Sequence, residues 1–283
     1  MWKDNLAKLL YYPIKWYNLI NIKKIYRAKK LKGKTRKLQV PLGDTLVISP
    51  HVDDESIGLG GLLLNNYDFN KKVDLIYLTD SSGSKSKGKE DIKSIREREA
   101  RSLVKKLNLR SLKIFSAKNN HVDRYTKETC EELRGFLQGR TYEKIFIVSP
   151  FDSHYEHRWT NYIFSNVAKT LNISSRIYLY EVSNFLPDNL INCHSVFNGR
   201  EKEGLFKIFE SQTVAMDFDI FLQLNKYKSI SIGENGFVEY FSELDISDYI
   251  ILVDEIDDKK IQEKLPRRIA NHRTFYKVLR DNK

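Results

Sequence analysis

Residues 45–64, TLVISPHVDDESIGLGGLLL, constrain this chain more than any other stretch. An apolar, β-branched run ends at Ser49 and Pro50. The polar residues His51, Asp53, Asp54 and Glu55 follow, and glycines then lead into a leucine-rich segment. The pattern is that of a strand, a turn bearing metal-capable side chains and a helix.

The body of the chain repeats strand and helix in alternation. Residues 46–49, 73–79, 112–116, 144–149 and 176–182 are short, β-branched or aromatic runs that read as strands. Residues 57–65, 90–107, 127–137 and 159–171 carry apolar side chains at intervals of three and four, as helices do. Each parallel return needs a crossover, so the alternation predicts a Rossmann-like α/β fold: a parallel sheet with helices on both faces. Such sheets bind ligands beyond the carboxyl ends of their strands. Three polar loops fall there: residues 51–55, Thr79 to Ser82 with Asp80 among them, and residues 152–157. Residues 82–90, rich in Gly, Ser and Lys, read as a loop beside that edge.

Charge divides the chain. Of the net +11, all sits in residues 1–38, which hold 12 Lys and Arg against the single acid Asp4; residues 39–283 hold 36 of each sign. This leader also carries Trp2, Tyr11, Tyr12, Trp16, Tyr17 and Tyr26, with Trp2, Leu6, Leu9 and Leu10 at helical spacing before Pro13 interrupts. Aromatic rings with basic partners suit the surface of an anionic membrane, the first of three readings. The others are an arm packed on the body or a partner, and nonspecific phosphate binding; no recognised module supports specific nucleic-acid binding. Two cysteines 63 residues apart, without CxxC spacing, indicate neither a disulfide framework nor a structural thiolate site. No apolar run reaches the roughly 20 residues of a membrane span, and no secretion signal is apparent. These features predict a cytoplasmic protein, peripheral at the inner membrane face if the leader binds lipid.

His51, Asp54 and His157 are two imidazoles and a carboxylate from two strand ends, a set suited to a catalytic zinc with one position left open. Asp53, beside the ligand Asp54, is the candidate base for a water. At these residues the chain resembles the PIG-L (LmbE-like) N-acetylglucosaminyl deacetylases. Pro50-His51-Val52-Asp53-Asp54-Glu55 is similar to their Pro-His-Pro-Asp-Asp-Glu signature, and His154-Tyr155-Glu156-His157 to their His-x-Asp-His motif. Looser matches are Thr79-Asp80, the Arg-x-x-Glu of Arg96 and Glu99, Ser211-Gln212, and the Glu-x-Phe of Glu239 and Phe241. Val52 replaces a proline, and Glu156 replaces an aspartate expected to orient His154.

The resemblance implies zinc, or another divalent metal such as Fe2+, on His51, Asp54 and His157. Asp53 is then the base and His154 the group that stabilises the oxyanion. Glu55 is expected to support a ligating histidine or cap the helix. Asp80 is expected to cap or to bind sugar hydroxyls, Arg96 to contact substrate or pair with Glu99. The implied reaction is hydrolysis of an N-acetyl group on an amino sugar. The leader extends this to a lipid-linked or glycoconjugate precursor of a surface polysaccharide. Its rivals are a small soluble glucosaminyl conjugate as substrate and a noncatalytic sugar- or phosphate-binding protein.

The domain plan is a leader over 1–38 and a catalytic domain over 39–283, within which 184–283 walls the pocket. In that extension residues 180–187 are expected to continue a strand, 203–211 and 218–226 to be helices, 248–253 a late strand, and 266–283 a basic helix.

Overall fold

The computed structural model describes residues 2–83, 91–213 and 216–256. Residues 84–90 of the expected loop and the basic segment 266–283 lie outside the described residues. In chain order the elements are α1 (Trp2–Ala28), β1 (Arg36–Lys37), β2 (Thr45–Ser49), α2 (Asp54–Asn65), β3 (Val73–Thr79), α3 (Ile92–Leu107), β4 (Ser111–Ala117) and α4 (Thr126–Leu137). There follow β5 (Lys144–Val148), α5 (Tyr155–Ala168), β6 (Arg176–Tyr180), β7 (Cys193–Phe197), α6 (Gly199–Phe206), α7 (Phe218–Ile232), β8 (Phe237–Leu244) and α8 (Ile246–Asp254).

The strands form one sheet in the order β1-β7-β8-β6-β5-β2-β3-β4. The five predicted strands are its parallel half, β4-β3-β2-β5-β6. β2, β3 and β5 are buried almost throughout, which is why they read as continuous apolar runs rather than alternating ones. From β2 the chain moves outward through β3 to β4, then returns to β5 on the other side of β2. Right-handed crossovers therefore place α4 and α5 on the face opposite α2. The reversal makes β2 and β5 the topological switch point, where a crevice opens beyond the strand ends.

The sheet is mixed rather than wholly parallel, because β8 runs antiparallel to both β6 and β7. The other differences lie in the same region. The strand expected over residues 176–182 stops at Tyr180, and residues 248–253 belong to helix α8. Their run of Ile, Leu and Val looks like a strand, but Tyr249 and Val253, four apart, are buried while Ile251 is 56% exposed. That spacing is helical, and a short apolar run alone does not separate the two.

The leader is tied to the body. Pro13 lies inside α1, where it removes a backbone donor without ending the helix. Ile22, Tyr26, Leu31 and Leu38 are buried in the common core, α1 packs on α7, and β1 pairs with β7. No helix among the described residues is long and apolar enough to cross a membrane.

Candidate active site

β2 delivers its chain into a tight turn at the switch point. His51 N donates to Asp54 Oδ2 at 3.0 Å, and Asp53 takes a φ of +130°, a region that non-glycine residues rarely occupy. The carbonyl of Val52, just before the strained residue, accepts from Arg96 Nη1 at 3.3 Å and from Gln212 Nε2. Glu99 accepts from both Ser211 N (2.8 Å) and Ser211 Oγ (2.9 Å), locking the segment that carries Gln212 onto α3. The loosely matching Arg96, Glu99, Ser211 and Gln212 thus form a clamp on the turn that presents Asp53.

Helix α2, which leaves the turn, is broken at Leu59 (φ −140°, ψ 15°). A broken helix leaves carbonyls on one side and amides on the other without partners. Glu239 on β8 accepts from Gly61 N at 2.8 Å and Leu62 N at 2.9 Å; Lys202 on α6 donates to Ile57 O at 2.7 Å and to Asn225 Oδ1 at 3.1 Å. The helix also lies close on the sheet. A Cβ at Gly58 would come within 2.1 Å of the Tyr180 ring, and one at Gly61 within 2.2 Å of Phe197.

The second half of the site comes from the end of β5. His154 caps α5, its Nδ1 accepting from Glu156 N at 3.2 Å, and His157 sits in the first helical turn rather than in a loop. Asp152, to which the sequence reading assigned no role, is fully buried. Its carboxylate accepts from His154 N (2.8 Å) and Ser183 N (2.7 Å), and its Oδ1 lies 3.2 Å from His157 Nδ1, off the line of a hydrogen bond. Its only sequence signal is its place as an acid just past the strand end.

These halves meet. Asp54 Oδ2 lies 3.1 Å from His51 Nδ1 and 3.4 Å from His157 Nε2. A tetrahedral cation with bonds of about 2.0–2.2 Å holds its ligand atoms about 3.3–3.6 Å apart, and these two separations lie close to that spacing. His154 belongs to the same group: His51, His154 and His157 each offer a nitrogen, all within 4.8 Å of one another. Glu156 does not aim at His154 with its carboxylate. Its Oε2 contacts His51 Nε2 at 2.8 Å and its Oε1 accepts from Asn120 N at 2.7 Å. The longer side chain thereby links His51 to the loop after β4.

Electrostatics follow from burial and pairing. Burial alone pulls the imidazoles down, but Asp54 and Glu156 hold His51 at about 9, and Asp152 and Asp54 hold His157 at about 10. Burial raises a carboxyl, yet His157 and His51 keep Asp54 well below the usual range. Asp53 is pushed well above it by burial and by Asp54, against the lowering charge of Arg96. Burial likewise lifts Glu55 to about 7. Glu55 accepts from Ser56 Oγ at 2.8 Å and bonds to no histidine among the described residues. Asp80 stands apart from the cluster, bonded to Ser82 N at 3.0 Å and Lys93 Nζ at 3.0 Å.

A switch-point crevice holding clustered imidazoles and carboxylates defines an α/β protein with a candidate metal site. The PIG-L family model, described as GlcNAc-PI de-N-acetylase, matches residues 46–168, the segment that supplies both halves of the site. No curated protein sequence matches the chain. Among solved structures, N,N'-diacetylchitobiose deacetylase from Pyrococcus horikoshii is similar, with TM-score 0.60, 18% identity, and 88% of this chain and 95% of that chain covered. The zinc-inhibited form of teicoplanin deacetylase Orf2 has TM-score 0.54 and 13% identity over 71% of this chain and 98% of its own. GalB, the 4-carboxy-2-hydroxymuconate hydratase from Pseudomonas putida KT2440, has TM-score 0.58 and 15% identity over 71% and 96%. The fold is common to deacetylases and a hydratase, so the reaction must be argued from the site.

Proposed function

We propose that this protein is a metal-dependent hydrolase that removes the acetyl group from an N-acetylated amino sugar of the N-acetylglucosamine type. The observation that carries the reading is the convergence of His51 and His157 on Asp54 Oδ2, flanked by buried Asp53 and by His154. The family description and the deacetylases of like fold support it.

His51, Asp54 and His157 would hold the cation, zinc by ligand type, with Fe2+ an alternative. When bound it supplies Lewis-acid polarisation of the acetyl carbonyl and lowers the pKa of a water to about 7. Asp53, whose carboxyl burial and Asp54 raise well above its ordinary range, takes the proton from the attacking water. His154 accepts the Glu156 amide at Nδ1, which leaves its Nε2–H to hydrogen-bond to the developing oxyanion, and the proton held on Asp53 passes to the departing amine as the C–N bond breaks. Asp152 and Glu156 hold His157 and His51 from behind. The products are acetate and a free amino sugar.

The leader supports a lipid-linked or glycoconjugate substrate at the cytoplasmic membrane surface, in the making of a surface polysaccharide. On α1, Trp16 (69%), Tyr17 (59%) and Ile20 (48%) are exposed. With exposed Lys23, Lys24 and Arg27 they fall within an arc of roughly 120° at 100° per residue. Ile22 and Tyr26 point into the core from the opposite side. An aromatic and basic face on an otherwise anchored helix suits an anionic membrane better than a solvated arm.

The test is a screen of free, nucleotide-linked and lipid-linked N-acetyl sugars for metal-dependent acetate release. The reading expects release from at least one, loss of metal and activity in Asp54→Ala, and loss of activity with metal retained in Asp53→Asn. Activity that survives Asp53→Asn, or no release from any sugar by the metal-loaded protein, overturns it.

A further inference from the structure

A cavity of about 600 Å³ that the proposed chemistry does not use has Asp80, Lys93, Lys118, His121 and Arg124 in its lining. Its volume is that of a small-molecule site. Its charge is one-sided. Lys93 is matched by Asp80 at 3.0 Å, but neither Lys118 nor Arg124 has an ion-pair partner among the described residues. Two uncompensated cations in one concavity favour an anion, and a guanidinium beside an ammonium suits phosphate oxygens in particular.

The cavity is coupled to the site by its wall. The loop that follows β4 contributes Lys118 and His121 to the cavity, and between them Asn120 N donates to Glu156 Oε1 at 2.7 Å. The other oxygen of that carboxylate contacts His51 Nε2 at 2.8 Å. Asp80 follows β3, the parallel neighbour of β2, so the cavity and the histidines open at the same sheet edge. A ligand with its acetamide at the histidines therefore has a basic recess at the same sheet edge.

We infer that Lys118 and Arg124 form a subsite for a phosphoryl group attached to the acetylated sugar, so that the substrate is a sugar phosphate or phosphodiester rather than a neutral glycoside. This rests on the deacetylase reading. The phosphoryl group could be that of a nucleotide, a sugar 1-phosphate or a lipid carrier, and the same two cations would meet each.

The experiment compares acetate release by the metal-loaded full chain from methyl N-acetylglucosaminide, N-acetylglucosamine 1-phosphate, a nucleotide-linked and a polyprenyl-phosphate-linked N-acetyl sugar. Both cations are exposed, so the double variant Lys118→Ala/Arg124→Ala has no buried contact to lose. At low salt, kcat/KM for phosphorylated sugars is expected to exceed that for the neutral glycoside at least about tenfold. In the double variant that preference should vanish through KM, with the neutral glycoside changed less than about twofold. The nucleotide and lipid arms then identify the source of the phosphate. Equal kcat/KM for neutral and phosphorylated sugars, or equal losses on both in the variant, overturns the subsite and leaves the deacetylase reading standing. If no sugar releases acetate, calorimetric titration with N-acetylglucosamine 1-phosphate separates the two. Binding that the double variant weakens at least about tenfold supports the subsite alone, and equal or absent binding overturns it as well.

Discussion

The Lys202 ammonium lies 2.6 Å from the Glu239 carboxylate, both fully buried, and together they close the two ends of the break in α2. The carboxylate takes the two amides that open the second half of the helix, and the ammonium takes a carbonyl that ends the first. The helix that carries Asp54 and Glu55 thereby keeps its bend at Leu59 with Ile57 O, Gly61 N and Leu62 N all satisfied.

Removing one partner strands the other. Glu239→Gln leaves Lys202 charged and unpaired in a site where burial already lowers its pKa. Loss of one member of such a buried pair costs about 3–5 kcal/mol. Chemical denaturation should show that loss, and a double variant Lys202→Met/Glu239→Gln should recover part of it. An unchanged unfolding midpoint in Glu239→Gln would remove the bracing role.

Arg96 and Gln212 both hold the Val52 carbonyl, but only Arg96 brings charge to Asp53. A neighbouring cation favours the carboxylate, so its removal moves Asp53 further upward. Because the base works deprotonated, the acidic limb of kcat/KM should shift to higher pH in Arg96→Met. Gln212→Ala should lower the rate, about tenfold or more, with the limb in place. Coincident limbs in wild type and Arg96→Met would count against Asp53 as the base.

Much of this was legible in the sequence, for reasons that differ by residue. The parallel strands and their helices follow from apolar periodicity, and His51, Asp54, His154 and His157 stand out because few other roles want those residues at strand ends. Asp152 was not legible as a partner of His157, since one acid past a strand resembles any turn. The contact of Glu156 with His51 depends on a side-chain direction that spacing does not encode. β7 and β8 escaped because each depends on the other: HSVF and FVEYFSE become strands by antiparallel pairing with a partner about 40 residues away. The break in α2 is equally nonlocal, since Lys202 and Glu239 come from far along the chain.

Stability on the acid side should depend on Asp74, far from the chemistry at the opposite end of β3. Its carboxylate accepts from Arg110 Nε (2.9 Å) and Nη2 (2.7 Å), Ser111 Oγ (2.6 Å) and Tyr142 OH (2.7 Å). Burial raises its pKa, but these partners outweigh it and hold the group below the ordinary value. A depressed folded pKa contributes stability above the unfolded value of about 3.9, and that contribution disappears as pH falls through the folded value. Asp74→Asn should therefore lower Tm at pH 7, by the equivalent of about 1–2 kcal/mol because Arg110 is partly solvated. The gap to wild type should close below about pH 4. A gap that stays constant into acid would assign the effect to packing instead.

The membrane face of α1 must be tested without deleting the helix, because Ile22 and Tyr26 on its other side belong to the core. Trp16, Tyr17 and Ile20 are exposed and can be changed to serine together without opening that core. If the face docks on lipid, insertion of these side chains supplies the apolar contribution and Lys23, Lys24 and Arg27 supply about 1 kcal/mol each against an anionic surface. The triple variant should then bind anionic vesicles at least about tenfold more weakly, while wild-type binding falls on neutral vesicles and in high salt. The same variant should keep its kcat/KM on a soluble acetylated sugar and lose rate only on a lipid-linked one presented in vesicles. Equal sedimentation of variant and wild type with anionic vesicles would leave Trp16, Tyr17 and Ile20 without a lipid role and return the substrate to the soluble class.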